Sequence, residues 1–124
     1  MTIEKVLSRV ENIKPNSYDR ETMIAWLSHF DLRVKAEIID KSINKIEFNG
    51  YDANVDETIE LLIPAPYDEI YVHYIMAQID FANNEIPKYA NNMSLVNSLF
   101  DNYAKKYRRE NRPKGPKNYK YYGG

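Results

Sequence analysis

The chain has 124 residues and a mass of 14.6 kDa, enough for one domain with a core but not for two well-packed ones. It contains no cysteine, which excludes disulfides, thiolate metal sites and cysteine redox chemistry and fits a reducing compartment. Because no apolar run approaches the roughly 20 residues that span a bilayer and the N-terminus does not resemble a leader peptide, we expect a soluble, untargeted protein.

Charge is distributed unevenly along the chain. Residues 104–124 hold 8 Lys/Arg and one Glu, a net charge of +7, which leaves 9 Lys/Arg and 17 Asp/Glu, or −8, for residues 1–103. Such asymmetry is typical of a contact with nucleic acid or an acidic partner, although a solvated helix end with a basic tail explains it equally well. There are also 11 Tyr against 4 Phe and 1 Trp, and tyrosine suits surfaces that become buried on assembly.

Apolar spacing predicts two helices in the first third of the chain. Ile3, Val6, Leu7, Val10 and Ile13 recur at intervals of three and four and predict a helix over residues 2–13. After Lys14-Pro15-Asn16, Ser17 is the expected N-cap of a second helix that runs to about Ser42, with Trp26 as its core anchor.

The helical period is interrupted over residues 43–63. Asn49-Gly50 is a turn signal, and Thr58-Ile59-Glu60-Leu61-Leu62-Ile63 is β-prone and partly alternating. We therefore expect a small β-hairpin or two short extended pieces in this insertion between helices two and three.

Two further helices and a tail complete the predicted domain. The third helix should begin at Pro66, whose missing N–H is harmless in a first turn, and end near Asn84; the fourth should run from Ile86/Pro87 to about Asn111. In the fourth, an apolar and aromatic seam steps by four and three, formed by Tyr89, Met93, Val96, Phe100, Tyr103 and Tyr107. The short link requires an antiparallel pair. The predicted class is mainly α, a four-helix antiparallel assembly over residues 1–112, followed by a flexible, basic, Tyr-rich tail over 113–124.

Motifs for catalysis and for cofactor or metal binding are missing from the sequence. His29 and His73 are the only histidines and lie in no ligand pattern, and the four glycines form no phosphate loop or nucleophile elbow. We therefore expect no enzyme, no cofactor and no metal. Glu69 and His73, four residues apart, are placed to pair on the helix surface.

Asp80 is a polar residue in an otherwise apolar stretch, between Ile79 and Phe81. It either faces solvent, which is the commoner arrangement, or is a partly buried carboxylate bonded to a neighbouring helix or subunit. Asparagines of the fourth helix, including Asn91 and Asn92, weaken helix propensity and are candidates for side-chain hydrogen bonding between helices.

Cations and aromatic residues alternate at the C-terminal end, in Lys105-Lys106-Tyr107-Arg108-Arg109 and in Lys120-Tyr121-Tyr122. Nucleic-acid-binding proteins use this combination for phosphate contact and base stacking. Cations also stabilise a helix C-terminus, and a Tyr-rich tail can add a strand to a partner's sheet edge.

The chain resembles the phage and prophage head–tail connector (adaptor) proteins of the small, mainly helical type. The resemblance extends over most of residues 2–112. It is most specific in Leu61-Leu62-Ile63-Pro64-Ala65-Pro66-Tyr67-Asp68-Glu69-Ile70-Tyr71, continued by Tyr74, Ile79-Asp80, Asn83, Glu85, Tyr89, Asn91, Asn97, Tyr103-Ala104 and Tyr107. Ala90, Asn92, Val96 and Lys106 depart from the pattern.

The resemblance implies a structural role without catalysis. Such a protein forms a ring beneath the portal after DNA packaging, completes the head, and offers a platform to the tail-completion protein. Portal protein, tail-completion protein and other copies of the chain are thus the expected partners, with passing contact to DNA. The expected location is the virion, assembled in the host cytoplasm.

Site residues follow from these two lines of reasoning. The expected subunit or partner interface comprises Tyr67, Tyr71, Tyr74, Asp80, Tyr89 and Tyr107. The expected portal or nucleic-acid contact comprises Lys105, Lys106, Arg108, Arg109, Lys114, Lys117, Lys120 and Tyr121. The alternatives are a small nucleic-acid-binding module that uses the basic C-terminal region, and an assembly chaperone that never enters the particle.

Overall fold

The computed structural model describes residues 1–113. Its elements are α1 (Ile3–Ile13), α2 (Arg20–Glu37), a 3-10 turn (Ile39–Lys41), α3 (Glu69–Ala82) and α4 (Ile86–Glu110). The prediction of a mainly α protein is confirmed. Only Pro113 of the predicted tail is described, so the predicted flexibility of that tail concerns residues outside this part of the chain.

Of the two alternatives predicted for residues 43–63, the β-hairpin is not supported. Within residues 1–113 there is no strand, only isolated bridges between Thr2 and Glu60 and between Ser42 and Pro113. The β-prone run instead pairs with the start of α1, because Leu61 N–H donates to the Met1 carbonyl at 3.0 Å and Glu4 N–H donates to the Glu57 carbonyl at 2.9 Å. The start of α1 therefore provides hydrogen bonds that a second strand would otherwise make.

Gly50 holds the loop between α2 and α3 close to the helices. Its φ is +96°, and a Cβ there would lie 2.4 Å from the Ser28 Oγ. The same oxygen accepts the N–H of Tyr51 at 2.8 Å. Glycine is required at this position for both its conformation and its lack of a side chain.

Helix α1 matches its prediction, and α2 is shorter than predicted. Thr2 caps α1 by accepting the Lys5 N–H, and the predicted apolar stripe is buried except for the exposed Ile13. Asp19, not Ser17, caps α2 by accepting the Thr22 N–H at 2.8 Å. The helix ends at Glu37, where the chain turns into the 3-10 segment.

Trp26 is not the core anchor of α2. It is only partly buried and lies against Tyr18, with ring centroids 5.7 Å apart. The adjacent Leu27 takes the inward position, and the largest fully buried side chains are Tyr71 and Phe30. The rings of these two meet edge to face with centroids 5.7 Å apart.

Helix α3 starts three residues later than predicted. Pro66 lies in a turn in which Tyr67 N–H donates to the Pro64 carbonyl at 3.0 Å, so it is not the first helical residue. In α4, by contrast, Pro87 lies in the first turn as the second helical residue, after Ile86. Asp68 precedes α3, and its carboxylate lies 3.3 Å from the N-terminal amine of Met1.

Helices α3 and α4 form the predicted antiparallel pair. Residues 83–85 connect them, with Asn84 at φ 60°. Most of the predicted seam of α4 faces the core. Val96, Phe100 and Tyr103 are buried together with the adjacent Ala104, and Met93 and Tyr107 are half-buried beside them, whereas Tyr89 is not part of the core cluster. Helix α1 contacts both α2 and α3, which completes the core on the other side of the pair.

Candidate functional site

Tyr71 and Asp80 were expected at an interface, but both lie in the interior. Tyr71 is fully buried, and Asp80 is 1% exposed. Neither side chain presents a surface to a partner in this structure. The other four expected interface residues, Tyr67, Tyr74, Tyr89 and Tyr107, are all partly exposed.

The hydroxyl of Tyr71 belongs to a buried network around Asp31. Tyr71 donates to Asp31 Oδ1 at 2.6 Å, and Asp31 Oδ2 accepts the Tyr51 hydroxyl and the Leu62 N–H. Burial raises the pKa of Asp31, and the three hydrogen bonds oppose that rise. Burial and the Asp31 charge also raise the pKa of both tyrosines. Asp31 is 0% exposed, so the network is structural and attaches the loop between α2 and α3 to the core.

Sequence reasoning did not select Asp31, although a signal was present. Asp31 follows Leu27 by four residues and precedes Val34 by three, which places it on the buried stripe of α2. An acidic residue in such a stripe requires hydrogen-bond donors. Its donors come from α3 and the loop, and their identity depends on the tertiary fold.

Asp80 lies at the centre of a polar network that joins α1, α3 and α4. Lys14 Nζ lies 2.8 Å from Asp80 Oδ1 and 3.3 Å from Glu85 Oε1. Asn92 Nδ2 donates to Asp80 Oδ2 at 2.9 Å, and Asn92 Oδ1 lies 3.2 Å from His73 Nδ1. The hydrogen bond with Asp80 raises the pKa of Lys14. The buried-carboxylate alternative therefore describes Asp80, with its partners in this same chain.

Glu69 and His73 do not form the expected pair. Arg9 of α1 takes both carboxylate oxygens of Glu69, at 2.7 and 2.8 Å, and this hydrogen bonding lowers the pKa of Glu69. His73 faces Asn92 instead. The polar contacts of α3 thus fix α1 and α4 in place.

An aromatic face lies at the end of the α3–α4 pair where residues 83–85 link the two helices. It consists of Tyr74, Phe81, Ile86 and Tyr89. Phe81 is 58% and Ile86 47% exposed. The rings of Phe81 and Tyr89 have centroids 5.2 Å apart. Tyr74 lies seven residues before Phe81 on the same side of α3, and its ring packs on that of Phe30 with centroids 4.6 Å apart. The structure therefore brings two of the expected tyrosines together and adds two residues that sequence reasoning did not select.

The remaining two expected tyrosines lie at the opposite end of α4. Tyr67 and Tyr107 flank the buried Tyr103, with ring centroids 5.6 and 5.9 Å from it. Burial raises the pKa of Tyr103 to about 12. The Tyr107 hydroxyl accepts a hydrogen bond from Asn44 Nδ2 at 2.7 Å, which ties this end of α4 to the loop after the 3-10 turn.

A cationic stripe formed by Lys105, Arg108 and Arg109 runs along the last turns of α4. All three are exposed, they share one helix face, and none lies within 4.0 Å of a carboxylate among the described residues. Lys106 differs, because it pairs with Glu110 at 2.8 Å. The other expected contacts, Lys114, Lys117, Lys120 and Tyr121, lie outside the described residues.

Two depressions mark the surface around α1. A groove between α1 and α2 has a volume of about 600 Å³, and a cleft of about 310 Å³ lies over Asp80 and is lined by Lys14, Lys88 and Asn92.

Across residues 1–113 no cluster of His, Asp or Glu is arranged to hold a metal ion. None of the helices described combines the length and apolar character needed to cross a membrane.

Comparisons of this chain with protein-family models, with curated proteins and with solved structures found no match.

Proposed function

We propose that this protein is a structural head–tail connector of a tailed phage or prophage, which assembles as a ring beneath the portal and receives the tail-completion protein. The sequence resemblance is the basis of the proposal, and the mainly helical fold is compatible with it. In the virion such a subunit contacts three partners, namely its neighbours, the portal and the tail protein.

The observation that carries the proposal is the aromatic face. The chain buries a continuous core drawn from all four helices, yet it leaves Phe81 and Ile86 about half exposed beside Tyr89. Contiguous exposed apolar surface on a folded domain marks interaction sites. Aromatic residues are also the side chains most enriched in protein interfaces.

A ring needs two different complementary surfaces on each subunit, because its contacts are heterologous. The aromatic face and the cationic stripe lie at opposite ends of α4 and so provide two different surfaces. That helix has 25 residues and so is about 37 Å long. The acidic remainder of the chain would limit adhesion of DNA in the channel.

The test is capture of portal and tail-completion proteins by the tagged chain from nuclease-treated lysate of cells that carry its genes, followed by electron microscopy of the complex. F81S/I86S should weaken the affinity for the portal or for a neighbouring copy at least tenfold. I43S/I59S changes two other exposed apolar residues and should retain it. Wild-type chain that captures neither protein, or equal capture by both variants, would contradict the proposal.

The cationic stripe favours a second candidate, a small nucleic-acid-binding module. If Lys105, Arg108 and Arg109 neutralise phosphates, log affinity for DNA should fall linearly with log salt, and K105Q/R108Q/R109Q should reduce the slope by about 3. K5Q/K35Q/K45Q removes three cations elsewhere and should leave the slope nearly unchanged. Binding to DNA that is weak and insensitive to both variants would exclude this module.

A further inference from the structure

The groove between α1 and α2 has the form of a binding site for an aromatic, basic segment. Its floor is apolar, made by the buried Leu7 and Met23, and Tyr18 forms one wall. Glu11, Asn12 and Asp19 lie along its rim, all exposed. Its volume of about 600 Å³ falls within the range of roughly 300–1,000 Å³ that is typical of ligand sites.

The rim of the groove is acidic. Arg20 is its one cation, and Glu57 engages that guanidinium, with Nε 3.3 Å from Oε2. Glu11 and Asp19 therefore line the groove without a compensating cation among the other lining residues, and the Asp19 carboxylate also accepts the Thr22 N–H. An occupant that carries positive charge and apolar or aromatic side chains matches both floor and rim.

Residues 114–124 of this same chain have that chemistry. They contain Lys114, Lys117 and Lys120 together with Tyr119, Tyr121 and Tyr122, and no acidic side chain. Tyrosine fits a site with an apolar floor and a polar rim, because its ring can be buried while its hydroxyl stays at the edge.

The position of Pro113 favours a second copy as the source of the occupant. The bridge between Ser42 and Pro113 places the last described residue beyond the C-terminal end of α2. The groove lies at the first turn of α2, whose 18 residues span about 27 Å. A fully extended chain reaches about 22 Å from Pro113 to Tyr119 and about 32 Å to Tyr122, so only the last tyrosines reach the groove of their own chain, and only with the segment fully stretched. A neighbouring copy meets no such restriction.

We propose that residues 114–124 of one copy bind in the α1–α2 groove of a neighbouring copy. The contact is heterologous, with the lysines on the Glu11 and Asp19 rim and the tyrosines over Leu7 and Met23. This inference deepens the proposed function by naming a subunit contact of the ring. Only the statement that this contact occurs within a ring rests on the proposed function, because the segment can bind the groove without a portal.

The first experiment is titration of a synthetic peptide of residues 113–124 into the full-length chain that carries K114Q/K117Q/K120Q, so that the segments of other copies do not compete with the peptide. Trp26, the only Trp, lies 5.7 Å from the groove residue Tyr18 and reports occupancy by its fluorescence. We expect a saturable change, with affinity at least tenfold lower when E11K/N12K is added. D101K/N102K makes the same charge change at exposed positions of α4 and should have little effect.

The second experiment measures self-association of full-length chains by sedimentation. K114Q/K117Q/K120Q and E11K/N12K should each associate at least tenfold more weakly than wild type, whereas their mixture should form a 1:1 pair, because one intact segment meets one intact groove. Circular dichroism checks that each variant is folded.

Absence of peptide binding, equal binding by the E11K/N12K and D101K/N102K chains, or a mixture that does not pair would overturn the inference. Loss of portal capture by E11K/N12K without any peptide binding would assign the groove to the portal and also overturn it. Peptide binding and pairing by a chain that never captures a portal would uphold this contact while contradicting the connector function.

Discussion

At the scale of single residues, the interior around Asp31 depends on a few polar groups that hydrogen-bond to one another. Asp31 accepts three hydrogen bonds while fully buried, and Tyr71 both donates to Asp31 and accepts the Ile63 N–H at 2.7 Å. A buried polar network of this kind specifies one arrangement of loop and helices, because any other leaves donors without acceptors.

D31N should destabilise the protein by about 1–3 kcal/mol. Asn offers one acceptor oxygen in place of two, so at least one of the donors Tyr51, Leu62 and Tyr71 loses its partner. Urea unfolding measures the change, and D101N, at an exposed position of α4, is the matched control. Equal stability of the two variants would show that the Asp31 network does not stabilise the fold.

At the scale of elements, α1, α3 and α4 are joined by polar contacts as well as by the core. Asn92 connects α4 to both His73 and Asp80 of α3, and Lys14, just after α1, reaches Asp80 and Glu85. The Asp80 carboxylate is nearly inaccessible to water, so protein donors must replace its hydration.

N92A should lower the free energy of unfolding by about 1–3 kcal/mol, because Asp80 Oδ2 loses its donor in a buried setting. N91A is the matched control. Asn91 is the exposed neighbour, and its side chain makes no hydrogen bond within residues 1–113, so its replacement should be neutral or slightly stabilising through helix propensity. Thermal and urea unfolding both report the difference. Equal changes in stability for the two variants would show that the Asn92–Asp80 contact does not stabilise the fold.

At the scale of the whole molecule, carboxylates with opposite pKa shifts determine the response to acid. Hydrogen bonds from Arg9 and Lys14 lower the pKa values of Glu69 and Glu85, and local hydrogen bonds lower those of Asp19 and Asp56. Stability from these groups is present above their unfolded values of about 4 and is lost as pH falls through the folded values. Asp31, with its raised pKa, acts in the opposite sense, and its contribution declines as pH rises from about 3.9.

The free energy of unfolding should therefore decrease below about pH 4, because the four carboxyls with lowered pKa values lose their hydrogen bonds and ion pairs when they are protonated. R9M should reduce the loss of unfolding free energy at low pH, because Glu69 then has a pKa closer to its unfolded value. The reduction should be at most about 1 kcal/mol, since the Arg9–Glu69 pair is partly exposed. K5M removes an exposed cation of α1 that makes no ion pair within the described residues, and should preserve the slope. Urea unfolding between pH 3 and 7 measures it. Parallel curves for R9M and wild type would show that the Arg9–Glu69 pair has no role.

The sequence by itself determined the helices and their buried stripes. In α1 and α4, apolar residues recur at intervals of three and four positions. This spacing puts them on one side of a helix, so the side of each helix that faces the core could be predicted. The antiparallel pair followed from the short link between α3 and α4. The charge asymmetry was likewise visible without coordinates.

Only the tertiary structure decided which polar and aromatic residues are internal. Tyr71 and Asp80 were expected at a surface, and Asp31 was not selected at all, because whether a polar side chain is buried depends on donors that lie far away along the chain. The β-prone run formed no hairpin for the same reason, since the start of α1 supplied its hydrogen bonds. Local pattern records propensity, whereas partners separated by tens of residues are set by how the helices meet.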